Sequence, residues 1–269
     1  MTYNAKDELE KVKKHYTNDP MQKRFSALIT GETNSGKTYM LRTARLPIHV
    51  DSFDPGGTKS IRDLIASGDV VVDTFFEGED PYNPKAYAEW KKRLELRLQI
   101  GYFDQFGTYA IDSLTTFSDA VMNFQLASRG YAGQMPSFNI DYTPQKIEIE
   151  NRIRQIMNLK CDFILTGHLE KLIRLISIDK KGIRQEEVTY RLMITGKAVM
   201  TIPLLFDELY VVLGKGNNPR RRMLTNSLGE YLARSRFTGN QKVAVEEEPD
   251  IKGLLKKVGL DWEDKPKLI

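Results

Sequence analysis

The chain has 269 residues, of which 41% are hydrophobic and 28% are charged. This composition excludes a disordered, collagen-like or coiled-coil protein, and the length fits one or two domains. A single cysteine, Cys161, excludes an intramolecular disulfide framework and a cysteine-based zinc site. The net charge of +4 permits a polyanionic partner without establishing one. Because no apolar run or leader-like segment stands out, we expect a cytoplasmic protein with no membrane partner.

Apolar and polar runs alternate along the first half of the chain. A charged N-terminal stretch predicts an exposed helix over 7–15. Predicted strands then cover 24–30, 47–52, 69–73 and 108–112, and predicted helices cover 38–45, 61–67, 84–100 and 114–128. This alternation predicts an α/β fold with a mostly parallel central sheet and helices on both faces.

The second half predicts antiparallel hairpins at the C-terminal end of the sheet. A loop over 129–143 precedes a predicted helix and a buried strand, and alternating polarity over 169–195 then indicates a β-hairpin. A strand over 206–213 follows, and 221–224 with 231–236 predict a last hairpin. We expect three parts: a charged helical extension over 1–23, a core over 24–239, and a charged tail over 240–269 with a short helix at 251–258.

The strongest motif is GETNSGKT at 31–38, which fits G-x-x-x-x-G-K-[ST] between a predicted strand and a predicted helix. In such a loop the backbone N–H groups wrap phosphates, Lys37 neutralises the terminal phosphates, and the Thr38 hydroxyl ligates Mg²⁺. We therefore expect ATP and Mg²⁺ as cofactors, and the alternative is a glycine-rich structural turn. The expected cofactor-binding residues are Gly31, Glu32, Thr33, Asn34, Ser35, Gly36, Lys37, Thr38 and Tyr39.

Carboxylates near strand ends predict the metal and water chemistry. Asp112 ends a predicted strand and is expected to hold the water shell of Mg²⁺, as a Walker-B aspartate does. Since Ser113 follows it where some ATPases have a glutamate, another carboxylate must orient the attacking water. Asp54 is the candidate, with Asp51 and Glu32 as alternatives. Asp54 could instead only cap the turn that it begins.

His168 follows a predicted buried strand through Gly167. A polar side chain at this position would lie beside the γ-phosphate of a bound nucleotide and could report its presence to the following hairpin. The alternative is a core or capping histidine whose hydrogen bonds are satisfied locally.

Together these motifs resemble the RecA-core ATPases: a Walker A loop, an acid after the second strand, an Asp-Ser Walker B and a polar residue after the next strand. The chain is most similar to phage-encoded AAA-domain nucleotide-binding proteins, including the RecA-like Sak-type single-strand annealing proteins. The resemblance covers about 24–239 and implies a RecA-like, ATP-hydrolysing core. It is carried by GETNSGKT (31–38), HVDSFDPGG (49–57), YAIDSLTTF (109–117), FILTGHLE (163–170) and PLLFDELYVV (203–212).

A second resemblance bears on assembly. The segment RSRFTG at 234–239 is similar to the Lys-Asn-Arg-Phe-Gly motif of RadA-type proteins, whose basic residues touch the nucleotide of a neighbouring subunit. It implies that Arg234 and Arg236 act as catalytic arginine fingers in a ring or filament. The segment departs from that motif by Arg for Lys, Ser for Asn and an inserted Thr238, so an exposed basic strand end is the alternative.

The resemblance further implies single-stranded DNA as a partner, and allows a single-strand-binding or replication protein as another. Aromatic residues that could stack on bases are Tyr131, Phe138 and Tyr142. Basic residues that could meet phosphates are Arg129, Lys171, Arg174, Lys180, Lys181, Arg184 and the turn Arg220–Arg222. The main alternative is a nucleotide-switched loader or assembly factor that binds a protein and not DNA. A small-molecule kinase, with Arg220–Arg222 as its lid, is a weaker one.

Overall fold

The structure, a computed structural model, describes residues 4–19, 22–138, 140–178, 184–214, 220–237 and 243–268. Its helices are α1 (Ala5–Asn18), α2 (Lys37–Met40), α3 (Arg62–Ala66), α4 (Ala86–Gln99), α5 (Leu114–Ser128), α6 (Tyr142–Ile156), α7 (Ala198–Thr201) and α8 (Ile251–Val258). Its strands are β1 (Ser26–Gly31), β2 (Ile48–Ser52), β3 (Val70–Asp73), β4 (Thr108–Asp112), β5 (Asp162–Ile178), β6 (Arg184–Leu192), β7 (Glu208–Leu213), β8 (Arg222–Leu224) and β9 (Glu246–Glu247). Short 3₁₀ turns cover Leu41–Thr43, Gly57–Ile61, Phe75–Glu77, Tyr102–Gln105 and Pro203–Leu205. None of the helices in these ranges has the length and apolar character of a membrane span.

The described strands form one sheet in the order β3-β2-β4-β5-β1-β7-β8-β9, and β6 pairs with β5 outside this order. The six strands from β3 to β7 in this order run parallel to their neighbours. The strands β6, β8 and β9 pair in antiparallel fashion. The predicted α/β fold is therefore confirmed, together with its antiparallel additions towards the C-terminus.

Apolar side chains cover both faces of the sheet, which explains why every residue of β1 is buried. On one face, Leu28 belongs to a core that contains Trp90 of α4 and Phe117 of α5. On the other face, Ile29 belongs to a core that contains Met40 of α2. Consecutive strand residues point to opposite faces, so neighbouring positions of β1 serve different cores.

The strand β5 is longer than the sequence predicts. Its first part lies in the parallel sheet, and from Leu169 onwards it pairs with β6. The predicted buried strand and the first strand of the predicted hairpin are thus one continuous element. At Gly167 a Cβ atom would lie 2.7 Å from the Leu192 side chain, so this position on β5 has no room for a larger residue. The hairpin turn predicted at Lys180 and Lys181 lies outside the described residues.

The last hairpin predicted from 221–224 and 231–236 is wrong. The strand β8 pairs with β7 and β9 instead. Since β8 covers only Val211–Leu213 of β7, the backbone of Leu209 stays open and exchanges two 2.8 Å hydrogen bonds with Arg234. The pairing of 221–236 is therefore decided by which of its residues bond to β7, a strand that lies outside the predicted hairpin.

The C-terminal segment packs against the sheet and its helices. The strand β9 extends the sheet, and Ile251, Leu254 and Leu255 of α8 are buried in the same core as Met40. Asp250 caps α8 by accepting a 3.0 Å hydrogen bond from the N–H of Gly253. In contrast, α1 has no buried residue.

Asp162, the first residue of β5, is a buried carboxylate. It lies at the end of the central strands that is remote from Gly31. It accepts a 2.9 Å hydrogen bond from the N–H of Phe25, and the Arg45 guanidinium lies 3.4 Å away. Burial raises the pKa of Asp162 to about 6, although Arg45 acts in the opposite direction. The folded chain therefore binds a proton at this carboxyl more tightly than the unfolded chain does.

We expect Asp162→Asn to remove a pH dependence of stability. The folded pKa lies above the reference value of 3.8, so the wild type loses stability as the pH rises from about 4 to about 6. The free energy of unfolding of the variant, relative to wild type, should rise by up to about 3 kcal/mol over this range. Urea unfolding of both proteins between pH 4 and 7 measures the difference. A difference that does not change with pH would contradict the assignment.

Candidate phosphate-binding site

The predicted site residues meet because parallel strands end at one edge of the sheet. Gly31 at the end of β1 is the register partner of His168 on β5, and Ser52 at the end of β2 is the partner of Asp112 on β4. The backbone carbonyl of Asp112 also accepts hydrogen bonds from the N–H groups of Phe53 (2.6 Å) and Asp54 (3.1 Å). The glycine-rich loop, Asp54, Asp112 and His168 thus lie together, where ligands of open α/β sheets bind.

The loop between β1 and α2 needs its glycines. Gly36 has a φ of +107°, and a Cβ atom there would lie 2.5 Å from Nε of Arg221. At Gly31 a Cβ atom would lie 2.5 Å from both the Ser35 hydroxyl and the carbonyl oxygen of Val212. The loop backbone is therefore in close contact with its surroundings and cannot carry larger side chains at these positions.

Lys37 lies inside this loop with only 5% of its surface exposed. Its ammonium donates hydrogen bonds to the carbonyls of Gly31 and Glu32, both at 3.0 Å, and lies 3.4 Å from Nδ1 of His168. Burial lowers the pKa of Lys37, while the carboxylates of Asp112 and Asp54 act to raise it. The side chain thus brings a cation to the centre of the loop.

Two hydroxyl groups hold the carboxylate of Asp112. Thr38 donates a 2.7 Å hydrogen bond to one oxygen, and Thr166 of β5 donates to the other. Burial raises the pKa of Asp112, and repulsion from Asp54 adds to this, whereas both hydroxyl groups oppose it. A bound cation would stabilise the charged form. Hydroxyl and carboxylate oxygens are ligands that Mg²⁺ prefers, so Thr38 and Asp112 fit this ion.

Asp54 and His168 form a second polar pair beside the loop. Nε2 of His168 lies 2.8 Å from one Asp54 oxygen, and the other oxygen accepts hydrogen bonds from Ser113 (2.8 Å) and Thr116 (2.6 Å). Burial favours the neutral acid, but the three hydrogen bonds outweigh it and lower the pKa of Asp54. Since Nδ1 of His168 faces the Lys37 ammonium, the contacts fit the tautomer with its proton on Nε2.

The two alternative water-orienting carboxylates are placed differently. Asp51 is fully buried on the α4 face of the sheet, where it accepts hydrogen bonds from Trp90 (2.9 Å) and Tyr109 (2.6 Å). Arg97 and His49 each lie 2.9 Å from its other oxygen. Asp51 is fully buried and does not line the cleft described below, whereas Asp54 does, so the side chain of Asp51 is structural. Glu32 is exposed on the loop and does not line the cleft described below.

Arg234 and Arg236 lie near the first residues of β1 and β7, at the strand ends remote from the glycine-rich loop. The Arg234 guanidinium donates to two backbone carbonyls of its own chain, at 3.0 and 3.1 Å, and Arg236 pairs with Asp207 at 2.6 Å. Asp207 in turn accepts a hydrogen bond from Ser26, the first residue of β1. The length of β1, about 17 Å, separates these strand ends from Gly31. Neither arginine is brought to the loop of its own chain.

The loop faces a cleft of about 590 Å³. Six of the nine expected cofactor-binding residues line it: Thr33, Asn34, Gly36, Lys37, Thr38 and Tyr39. Three cations, Lys37, Lys59 and Arg221, line it together with Asp54. This excess of positive charge suits a polyanion. The place of Arg221 in this cleft is not apparent from the sequence, where it is one of three consecutive arginines in a predicted basic turn.

The surfaces expected to meet DNA are partly exposed. Tyr131 and Phe138 have 50% and 78% of their surface exposed, and Lys171 and Arg174 are exposed on the hairpin. Other members of the basic set are engaged: Arg129 pairs with Asp141, Arg220 with Glu248 and Arg222 with Glu246. Lys180, Lys181 and the side chain of Arg184 lie outside the described part of the chain.

Comparisons with known proteins find no matching family model and no matching curated protein. Three solved structures are similar in part. A KaiC-like protein from Pyrococcus horikoshii is 11% identical, with a TM-score of 0.42 over 78% of this chain and 81% of that one. The RadB recombinase is 11% identical (TM-score 0.36, 74% and 79% covered), and the ATPase EscN of enteropathogenic E. coli is 15% identical (TM-score 0.43, 81% and 48% covered). Similarity at this level does not establish a function.

Asp51 within β2 and Asp54 just after it should differ in what they stabilise. We expect Asp51→Asn to lower the free energy of unfolding by about 3 kcal/mol or more, because the Arg97 guanidinium loses a buried carboxylate that lies 2.9 Å away. The matched change Asp54→Asn should cost less, since it also removes repulsion with Asp112. Urea unfolding at pH 7 compares the two variants. An equal or larger loss of unfolding free energy for Asp54→Asn would contradict this expectation.

Proposed function

We propose that this chain is a RecA-like P-loop ATPase that binds Mg²⁺-ATP and hydrolyses it. The observation that carries the proposal is that two sets of polar side chains lie side by side at the glycine-rich loop. Thr38 and Asp112 offer oxygen ligands for the metal, and Lys37, His168 and Asp54 form a connected row beside them. A cation, a metal site and an ionised carboxylate within one cleft are the groups that phosphoryl transfer to water requires.

Each residue of the row has a separate task in this proposal. Lys37 exchanges its bonds to the loop carbonyls for the terminal phosphates, and Mg²⁺ supplies further neutralisation of their charge. Asp54, whose pKa is lowered, is ionised at neutral pH and orients the attacking water. His168 holds Asp54 through Nε2 and faces Lys37 through Nδ1, so it senses whether Lys37 is engaged.

We further propose that ATP controls binding to single-stranded DNA, as in phage annealing or recombination proteins. The support is the continuity of β5, which runs from Thr166 beneath the metal ligand through His168 into the hairpin that exposes Lys171 and Arg174. A change at His168 is therefore passed along one strand to two exposed cations, Lys171 and Arg174. Exposed Tyr131 and Phe138 add faces on which bases could stack.

Assembly into a ring or filament completes this proposal. Arg234 and Arg236 lie about one strand length from the loop of their own chain, so only another copy could bring them to a nucleotide. The exposed Arg236, with 58% of its side chain accessible, is the better placed of the two, because Arg234 is held by its own backbone carbonyls.

One observation favours a second function, that of a nucleotide-switched loader or assembly factor. The same hairpin exposes Ile173, Leu175 and Ile176, with 57%, 49% and 62% of their surfaces accessible. Apolar side chains on a projecting ribbon suit a protein partner, such as a single-strand-binding or replication protein, better than they suit phosphates.

Two variants should separate binding from chemistry. Lys37→Ala removes the cation that faces the phosphates and is expected to weaken ATP binding about 10- to 100-fold. Asp54→Asn should leave the affinity close to wild type and lower turnover by about 10²-fold or more. Calorimetric titration and phosphate release measure the two quantities. Unchanged affinity in Lys37→Ala would refute the loop assignment, and unchanged turnover in Asp54→Asn would remove Asp54 from the mechanism.

The DNA proposal is tested by ATP turnover with and without single-stranded DNA at low salt. We expect stimulation by DNA that is reduced in a Lys171→Glu/Arg174→Glu variant, since both basic side chains project from the hairpin. The matched control Ile173→Ser/Ile176→Ser changes apolar positions of the same strand and should keep the stimulation. Absence of both DNA binding and stimulation would refute the DNA function and favour the protein-partner alternative.

A further inference from the structure

A second cavity of about 410 Å³ adjoins the phosphate cleft. It is lined by Gly36, Tyr39, Met40, Arg220, Arg221, Glu248 and Pro249. Three of these residues, Gly36, Tyr39 and Arg221, line the phosphate cleft as well. The two spaces are therefore neighbours that share one wall, and a single ligand could occupy both.

The shared wall is flat and cationic. The Arg221 guanidinium carbon lies 5.1 Å from the centroid of the Tyr39 ring, and Tyr39 itself has 43% of its surface exposed. Nε of Arg221 is buried and has no hydrogen-bond partner among the described residues. Planar arginine and tyrosine groups bind flat aromatic rings through stacking, and the guanidinium of Arg221 can also meet phosphate oxygens on the side of the phosphate cleft.

The C-terminal segment contributes Glu248 and Pro249 to the wall of the cavity. This segment is firmly positioned, because β9 pairs with β8 immediately before it and α8 begins immediately after it. The N–H of Ile251 donates a 3.0 Å hydrogen bond to the hydroxyl of Thr43, which lies one turn beyond α2. The wall is thus attached to the same stretch of chain that follows the phosphate loop.

The position of the cavity gives the direction of a bound nucleotide. Lys37, Asp54 and His168 all line the phosphate cleft, and none of them lines the second cavity. The terminal phosphate belongs at that end, so the rest of the nucleotide leaves the loop past Tyr39.

We propose that the second cavity binds the nucleoside of the nucleotide, and that residues 248–249 of the C-terminal segment are part of the ATP site. This inference rests on the proposed ATP binding. It assigns the base and ribose to a pocket lined by Tyr39 from the N-terminal half of the chain and by Arg221 and Pro249 from the C-terminal part.

The test compares two ligands that differ only in the nucleoside, Mg²⁺-ATP and Mg²⁺-tripolyphosphate, by calorimetric titration of the full chain. We expect Arg221→Ala to weaken both ligands, because Arg221 lines both spaces, and to weaken ATP about 10-fold more than tripolyphosphate. Pro249→Trp, which fills the cavity with a large side chain, should also weaken ATP more than tripolyphosphate, by exclusion. Arg222→Ala is the matched control, because this neighbouring arginine pairs with Glu246 and does not line the cavity.

The outcomes separate this inference from the proposed function. If wild type binds ATP and tripolyphosphate equally well, or if Arg221→Ala weakens both ligands by the same factor, the nucleoside pocket is refuted while the phosphate site stands. If wild type binds neither ligand, the proposed function itself fails. The pocket is supported if Arg221→Ala and Pro249→Trp lose more affinity for ATP than for tripolyphosphate while Arg222→Ala binds both ligands as wild type does. A selective loss of ATP affinity in Arg222→Ala would overturn it.

Discussion

The buried carboxyl group of Asp112 and its own backbone carbonyl join the three elements on which the site depends. The side chain accepts hydrogen bonds from Thr38 after the loop and from Thr166 on β5, while the carbonyl accepts from Phe53 and Asp54 beyond β2. One residue thus sets the positions of the Thr38 hydroxyl and the Asp54 carboxylate. Burial raises the pKa of this carboxyl, and the hydrogen bonds from the two hydroxyl groups act in the opposite direction.

Much of this arrangement could be predicted because it follows from local pattern. A glycine-rich loop between a strand and a helix and an aspartate at a strand end each identify themselves within a few residues. The common edge then follows from parallel pairing, which the alternation of elements predicts. For Asp51, the alternative to Asp54, strand alternation gives the answer: Ile48 and Val50 pack in the core that contains Met40 of α2, so Asp51 points to the other face, towards α4.

The parts that could not be predicted depend on contacts between distant residues. Nothing in the run CDFILT distinguishes Thr166 from a strand residue that only fills space, and its role appears only when β5 lies beside β4. The role of Arg221 depends likewise on its contact with Gly36. The acidic run 246–248 looks like a solvated tail, yet each glutamate faces a cation: Arg222, Lys257 and Arg220 in turn.

The unbroken course of β5 has a mechanical consequence. From Leu169 to Ile178 the strand continues for ten residues beyond the sheet, which is about 33 Å. A rotation of about 10° at its base, beside His168, would move the far end of the ribbon by about 6 Å. A displacement too small to disturb the core would then become a large movement at the surface, so the strand would act as a lever whose pivot lies beside Gly31 of the glycine-rich loop.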